Sequence, residues 1–335
     1  MTTIAVDAMG GDHAPCEIVH GAVLAAREVS VNVQLVGNEV LIKKELDKYD
    51  IKGLPIEIIP ADEVIDMGEP QPASAVRKKP NASIVVAMNL VAQDRASGVV
   101  AAGSTGAAAA AALLTLKRIE GVERPCIAAV LPTHTKPVIL ADAGANVEST
   151  PEHLFQNALM GIALSKALFR LENPKVGILN VGEEPGKGNM LVKEAYKLLE
   201  NNSSINFVGN IEGRDVPEGV CDVCVCDGFV GNVFLKTAEG VAKMVAVMLR
   251  EELNRDMKSQ LGALLAKDSF YRLRKRIDYS EYGGAQLLGV KGVCVIAHGS
   301  SKHIAIKNAI RVAKNAAEAN VIKLIDNMVK SYVNN

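Results

Sequence analysis

The chain has 335 residues, with Lys+Arg 37 against Asp+Glu 38 and a formal net charge of −1. Hydrophobic residues at 49% and charged residues at 22% exclude a disordered chain, and near-neutrality excludes a global field that recruits nucleic acid. Aromatics are 4% and Trp is absent, so the core rests on Ala, Val, Ile and Leu, and six Cys are too few for a disulfide scaffold.

In chain order, Met1–Pro15 has neither the basic start nor the apolar stretch of a signal peptide, which predicts a cytoplasmic protein. Short β-branched runs predict strands at Ile4–Asp7, Val33–Gly37, Ile56–Ile59, Val99–Ala102, Ile127–Leu131 and Val138–Ala141. Further strands are expected at Val176–Asn180, Asn206–Gly209, Val223–Asp227 and Val293–Ala297. Between them lie helical patterns: Glu17–Val29, Val40–Lys48, Ser83–Arg95, Ala107–Lys117, Glu152–Leu171, Asn189–Glu200, Asn232–Leu249 and Ile304–Val329. This alternation predicts an α/β fold, a mainly parallel sheet covered by helices on both faces. The whole chain reads as a single α/β unit, with two intertwined lobes as the alternative. The uncharged run Val99–Leu116 reaches the length of a membrane span but holds Gly103-Ser104-Thr105-Gly106 and an Ala-rich stretch; strand, Gly turn and buried helix is the better reading.

Six expected strand exits carry polar residues beside Gly: Asp7–His13, Gly103–Gly106, Asp142–Asn146, Asn180–Gly188, Asp227–Asn232 and His298–Ser301. Strand C-termini of a parallel sheet share one edge, so the six are expected to line one cleft. Ordinary tight turns explain any one of them, but not a polar or charged residue beside every Gly. Gly103–Gly106 runs into a helix, where backbone N–H groups and the Ser104 and Thr105 hydroxyls make either an anion site or a plain N-cap. Lys187 sits among glycines, yet Val181 and Gly188 break the P-loop pattern, and no G-x-G-x-x-G follows a strand. Lys187 therefore stands as a candidate for holding phosphate or an oxyanion. Asn232 and His298 are the other candidate catalytic side chains. Ser104, Thr105, Gly106, Asn146, Asp227, Gly231, Asp12 and His13 are candidate phosphate- or substrate-binding positions.

Cys221, Cys224 and Cys226 lack the second pair or His cluster of a zinc site; with 221 and 224 expected on opposite strand faces, they read as structural, and no metal is expected. Over Arg250–Ile277 the strand–helix alternation stops. Leu253, Met257, Leu261, Leu264 and Leu265 share one helical face around an apolar tip, and Phe270, Leu273 and Ile277 form a second stripe. Arg272, Lys275 and Arg276 lie opposite that stripe. Residues 250–285 are thus expected to protrude as a helical hairpin that forms a dimer, touches a membrane or docks an acidic partner protein.

The motifs Asp7-Ala8-Met9-Gly10-Gly11-Asp12-His13-Ala14-Pro15, Gly103-Ser104-Thr105-Gly106-Ala107, Asp142-Ala143-Gly144-Ala145-Asn146 and Gly209–Asp215 stand here in that order. They are followed by Cys226–Asn232, Tyr282-Gly283-Gly284-Ala285 and His298-Gly299-Ser300-Ser301. Together they resemble the bacterial phosphate acyltransferases of the PlsX family, over essentially the whole chain. That resemblance implies conversion of fatty acyl-[acyl carrier protein] and inorganic phosphate to acyl phosphate and free carrier protein, in phospholipid biosynthesis, with no cofactor. It implies a homodimer with a fold related to phosphotransacetylase and the isocitrate/isopropylmalate dehydrogenase class. It also implies peripheral membrane contact and a product passed to a membrane glycerol-3-phosphate acyltransferase. Two rivals remain: an NAD-dependent decarboxylating dehydrogenase of the same fold, which would need an Arg-rich carboxylate clamp and metal-binding aspartates in a compact set, and a non-catalytic membrane scaffold that binds carrier protein.

Overall fold

The computed structural model describes residues 1–277 and 279–333. Its strands are β1 (Thr3–Asp7), β2 (Asn32–Gly37), β3 (Ile56–Pro60), β4 (Gly98–Ala101), β5 (Cys126–Leu131), β6 (Val138–Ala141), β7 (Lys175–Leu179), β8 (Asn206–Ile211), β9 (Val223–Val225), β10 (Ala285–Leu288) and β11 (Val293–Ile296). They form one sheet in the order β3-β2-β1-β4-β11-β10-β5-β6-β9-β7-β8. The strands beside β10 and the β5/β6 pair are antiparallel; every other pairing is parallel. The mainly parallel α/β reading therefore holds, and the central strands are apolar, with Gln286 in β10 an exception, because both faces are covered.

The antiparallel pairs correct the expectation of one shared edge. Strands β1, β4 and β11 point one way, whereas β6, β7 and β9 point the other: β10 is antiparallel to both neighbours, which leaves β5 parallel to β11, and direction then reverses between β5 and β6. Polar Gly loops after the first three strands lie on one edge of the sheet, and those after the second three on the opposite edge. Strand β10 has four residues and no marked β-branched content, so it escapes a pattern-based reading.

Helices α1 (Cys16–Glu28), α2 (Glu39–Leu46), α3 (Pro72–Lys78), α4 (Ser83–Ala92), α5 (Thr105–Thr115), α6 (Pro151–Phe169) and α7 (Met190–Glu200) connect the strands. Helix α3 was not expected; Pro72 opens it, with φ preset for a first helical position. The expected helix Ile304–Val329 is two, α11 (His303–Glu318) and α12 (Val321–Val333), broken where Asn320 takes a left-handed φ of 53°. One apolar cluster packs α1 and α11 on one face of the sheet; a second packs α4 and α5 on the other; a third lies between α6, α7 and the β7–β9 end. Cys221, Cys224 and Cys226 all belong to the second cluster, so 221 and 224 do not face apart: Cys221 precedes β9 and escapes its alternation.

The excursion is present and starts earlier than expected. Helix α8 (Gly228–Leu253) runs unbroken from β9, followed by α9 (Met257–Leu265) and α10 (Lys267–Ile277). At 1.5 Å per residue, its 26 residues make α8 about 39 Å long. Along it Val241, Met244, Val245 and Met248 are about half exposed, at i, i+3, i+4 and i+7, a single apolar seam. Leu261, Leu264 and Leu265 are exposed at the α9 tip, 60%, 68% and 81%. Arg272, Lys275 and Arg276 are exposed on α10, and Arg276 reaches back to the His134 carbonyl at 3.2 Å. In the second apolar stripe, Leu273 is exposed, and the Ile277 side chain lies outside the described residues. Among the described residues no helix is long and apolar enough to cross a membrane, and Val99–Leu116 is β4 followed by α5.

Candidate active site

At the first edge, the loops after β1, β4 and β11 converge. A Cβ on Gly10 would lie 2.6 Å from Asp7 Oδ2 and 2.9 Å from Gly103 Cα, so only glycine allows these two loops to touch. The Asp12 N–H donates to the Gly299 carbonyl at 2.9 Å, joining the first loop to the last. Asp7 is buried at the end of β1, where it accepts from the Met9 N–H at 3.1 Å. Burial raises its pKa, while hydrogen bonds from the Ser83 side chain and the backbone of Met9 and Gly10 oppose the rise. Asp7, Ser83, Gly103 and Ser104 line a small cavity of about 10 Å³, room for roughly one water molecule.

Helix α5 begins at this cavity. Ser104 is its N-cap, with Oγ accepting from the Ala107 N–H at 3.4 Å. Thr105 and Gly106 are exposed in the first turn, where N–H groups have no intrahelical acceptor. The cap is neutral and that turn holds no acid, so no acid of the helix itself compensates its positive end, which suits an anion. Exposed His298 stands on the same edge. Its Nδ1 accepts from the Ser300 N–H at 3.2 Å, which puts the proton of the neutral ring on Nε2, pointing away from the loop. Asp12 and His13 are also exposed here.

The second edge is built on Asp142, which is fully buried. Its Oδ1 accepts from the N–H groups of Ile127, Gly144 and Ala145, and its Oδ2 from the Asn146 N–H and side-chain amide, all within 3.0 Å. Asn146 gives its remaining donor capacity to the Pro125 carbonyl at 2.7 Å. Asp227 caps α8, accepting from the Phe229 and Val230 N–H groups at 2.9 Å each. That carboxylate already compensates the positive end of α8, so this helix start is a poorer anion cradle than that of α5. Gly231 packs on the Asp142 carbonyl oxygen so closely that any Cβ would collide with it. Exposed Asn232 covers Gly144, whose Cβ would sit 2.8 Å from the amide nitrogen. Lys187 extends from the loop after β7 with Nζ 4.0 Å from Glu184 Oε1, half exposed. Asn180 and Asn210 pin that loop through the carbonyls of Lys187 and Glu184.

Within one chain, then, Ser104, Thr105, Gly106, Asp12, His13 and His298 gather at one edge, while Lys187, Asn146, Asp227, Gly231 and Asn232 gather at the other. The sequence reading named neither Asp7 nor Ser83 as a site residue, nor Asp142. A carboxylate closing an otherwise apolar strand, as at Ile4–Asp7 and Val138–Asp142, is the signal that would have found two of them.

Residues 2–324 match the family model described as "Fatty acid synthesis protein". A phosphate acyltransferase of Gloeothece citriformis is 53% identical over 324 residues, covering 96% of this chain and 92% of its own length. That of Dictyoglomus turgidum is 50% identical, covering 96% of both chains. Among solved structures, a phosphotransacetylase from Streptococcus pyogenes superimposes with a TM-score of 0.63 over 95% of this chain and 94% of its own, at 16% identity. A branched-chain phosphotransacylase from Enterococcus faecalis V583 gives 0.58 over 95% and 99%, also at 16% identity. These two likenesses establish the shared fold.

Proposed function

Because the chain belongs to the phosphate acyltransferase family, and is thus an acyltransferase of fatty acid synthesis, we propose that it transfers a fatty acyl group from acyl carrier protein to inorganic phosphate. A phosphate oxygen attacks the thioester carbonyl, forming a C–O bond and a tetrahedral oxyanion. Collapse breaks the C–S bond, and the carrier thiolate takes up a proton as acyl phosphate leaves. Phosphate is the nucleophile, so the protein's work is to hold an anion beside a carbonyl and to stabilise the oxyanion. The observation that carries this reading is the neutral-capped start of α5, with Thr105 and Gly106 exposed and the His298 Nε2–H on the same edge. The product, an amphiphile, would serve phospholipid synthesis through a membrane glycerol-3-phosphate acyltransferase.

The split of the candidate residues between two edges favours a homodimer. The half-exposed seam Val241, Met244, Val245 and Met248 has the spacing of a helix that packs on another helix. If α8 pairs with its antiparallel copy, the start of one α8, with Asn232, lies beside the end of the other. On this reading the pairing also brings one protomer's Lys187–Asn232 edge to its partner's Ser104–His298 edge, which the mixing experiment below checks. The exposed tip Leu261–Leu265 remains for the bilayer of a peripherally attached cytoplasmic enzyme, and Arg272, Lys275 and Arg276 for the acidic carrier protein.

Mixing inactive His298→Ala with inactive Asn232→Ala subunits tests this arrangement. Composite sites would restore about one quarter of wild-type turnover, because half of the randomly assorted dimers carry one intact site. No recovery after verified subunit exchange would place both residues in one chain's site and refute the composite site. The catalytic reading itself depends on phosphate-dependent release of carrier thiol by the wild type.

A further inference from the structure

Away from both edge cradles, α1 and α11 bring together a carboxylate and two imidazoles. Glu17 and His20 are three residues apart on α1, hence on one face, and His303 is the first residue of α11. Glu17 Oε2 lies 2.7 Å from His303 Nδ1 and accepts the His303 backbone N–H at 2.7 Å. The His20 ring is held between Tyr49, with centroids 5.1 Å apart, and His303, at 4.1 Å. One donor atom from each of Glu17, His20 and His303 falls within 4.8 Å of the other two.

The backbone beneath this cluster is close-packed. A Cβ on Gly21 would lie 2.7 Å from the His303 carbonyl oxygen, so glycine allows the first turn of α11 to rest directly on α1. Further along, Lys307 pairs with Glu28 at 2.8 Å across the same two helices. Helix capping accounts for Glu17 accepting the His303 N–H, but it gives no role to His20.

We propose that Glu17, His20 and His303 form a binding site for a divalent first-row transition ion, with zinc the best match. Two imidazoles and one carboxylate are a donor set zinc accepts, leaving one coordination position for water. Zinc bonds of about 2.0–2.2 Å need donors closer together than 4.8 Å, so binding requires the stacked His20 and His303 rings, 22° apart in plane, to turn toward one point. A bound ion would tie the start of α11 to α1. Both helices begin directly after first-edge loops, those carrying His13 and His298, so the ion would brace those loops from behind.

The test uses the full chain after dialysis against a chelator. Calorimetric titration with Zn²⁺ should show one site per chain, and Co²⁺ should give the visible absorption of low-coordinate cobalt. His20→Ala and His303→Ala should each weaken Zn²⁺ binding by more than about 10-fold, at least the effect of losing a group that merely orients a ligand. Cys16→Ser controls for the exposed thiol beside Glu17 and should bind as the wild type does. The proposal is overturned if the wild type takes up no stoichiometric Zn²⁺, if both His variants bind normally, or if only Cys16→Ser loses binding. Should His303→Ala fail to fold, His20→Ala decides the matter, since His20 caps no helix.

Discussion

Replacing Asp142 probes the second edge most sharply. The carboxylate is fully buried and accepts five hydrogen bonds, three on Oδ1 and two on Oδ2. Asp142→Asn retains the Oδ1 set but turns an NH₂ group toward the Asn146 N–H and side-chain amide, donor against donor. Each buried group left without a partner costs about 1–3 kcal/mol, so the variant should lose roughly 2–6 kcal/mol. For a chain of this size a loss of 1 kcal/mol lowers Tm by roughly 1–2 °C, given about 2.1 cal/mol/K of unfolding entropy per residue. Scanning calorimetry should therefore show a fall on the order of 5 °C for Asp142→Asn, and a larger one for Asp142→Ala, which orphans all five donors. Turnover should drop more steeply than Tm accounts for, because Gly144 and Gly231 align Asn232 through this loop. A Tm within 1 °C of wild type for Asp142→Asn would refute this account of how the loop is held.

Three further outcomes are expected. Burial raises the Asp7 pKa, so its ionised form costs stability above the folded-state value, and this cost fades as pH falls toward the ordinary Asp range; wild type should gain Tm relative to Asp7→Asn between pH 7 and pH 4, and parallel profiles would contradict it. Burial pushes the Cys221 and Cys294 thiols up to about 12 and raises Cys126, Cys224 and Cys226 well above the usual thiol range; a thiol reagent at pH 8 should therefore label exposed Cys16 in the native protein and the other five only after unfolding. Leu261→Glu with Leu264→Glu should abolish liposome flotation, each lost Leu removing about 1.5–3 kcal/mol of burial, while leaving the dimer intact; loss of the dimer instead would assign this face to the subunit interface.

Most of the fold was legible because its strands are doubly covered and read as apolar runs, and because Gly marks their exits. Strand direction was not legible. Nothing in Ala285-Gln286-Leu287-Leu288 announces a strand, still less one antiparallel to both neighbours, and the division of six Gly clusters between two edges comes from the β5/β6 reversal. Roles at the site were legible by residue type only. Asp227 and Ser104 look alike as polar residues before a helix, and both cap one; the charge of the first and neutrality of the second decide which helix end suits an anion. The Glu17–His20–His303 cluster was invisible because His303 lies 286 positions from Glu17 and meets it only through the packing of α1 on α11.

The most direct measurement incubates the full chain with a fatty acyl thioester of acyl carrier protein and labelled inorganic phosphate, and follows acyl phosphate and free carrier thiol together. Equimolar formation of both, strictly dependent on phosphate and indifferent to NAD, is the predicted result. Binding of the carrier protein without phosphate-dependent release of its thiol would contradict the account and leave the protein a scaffold.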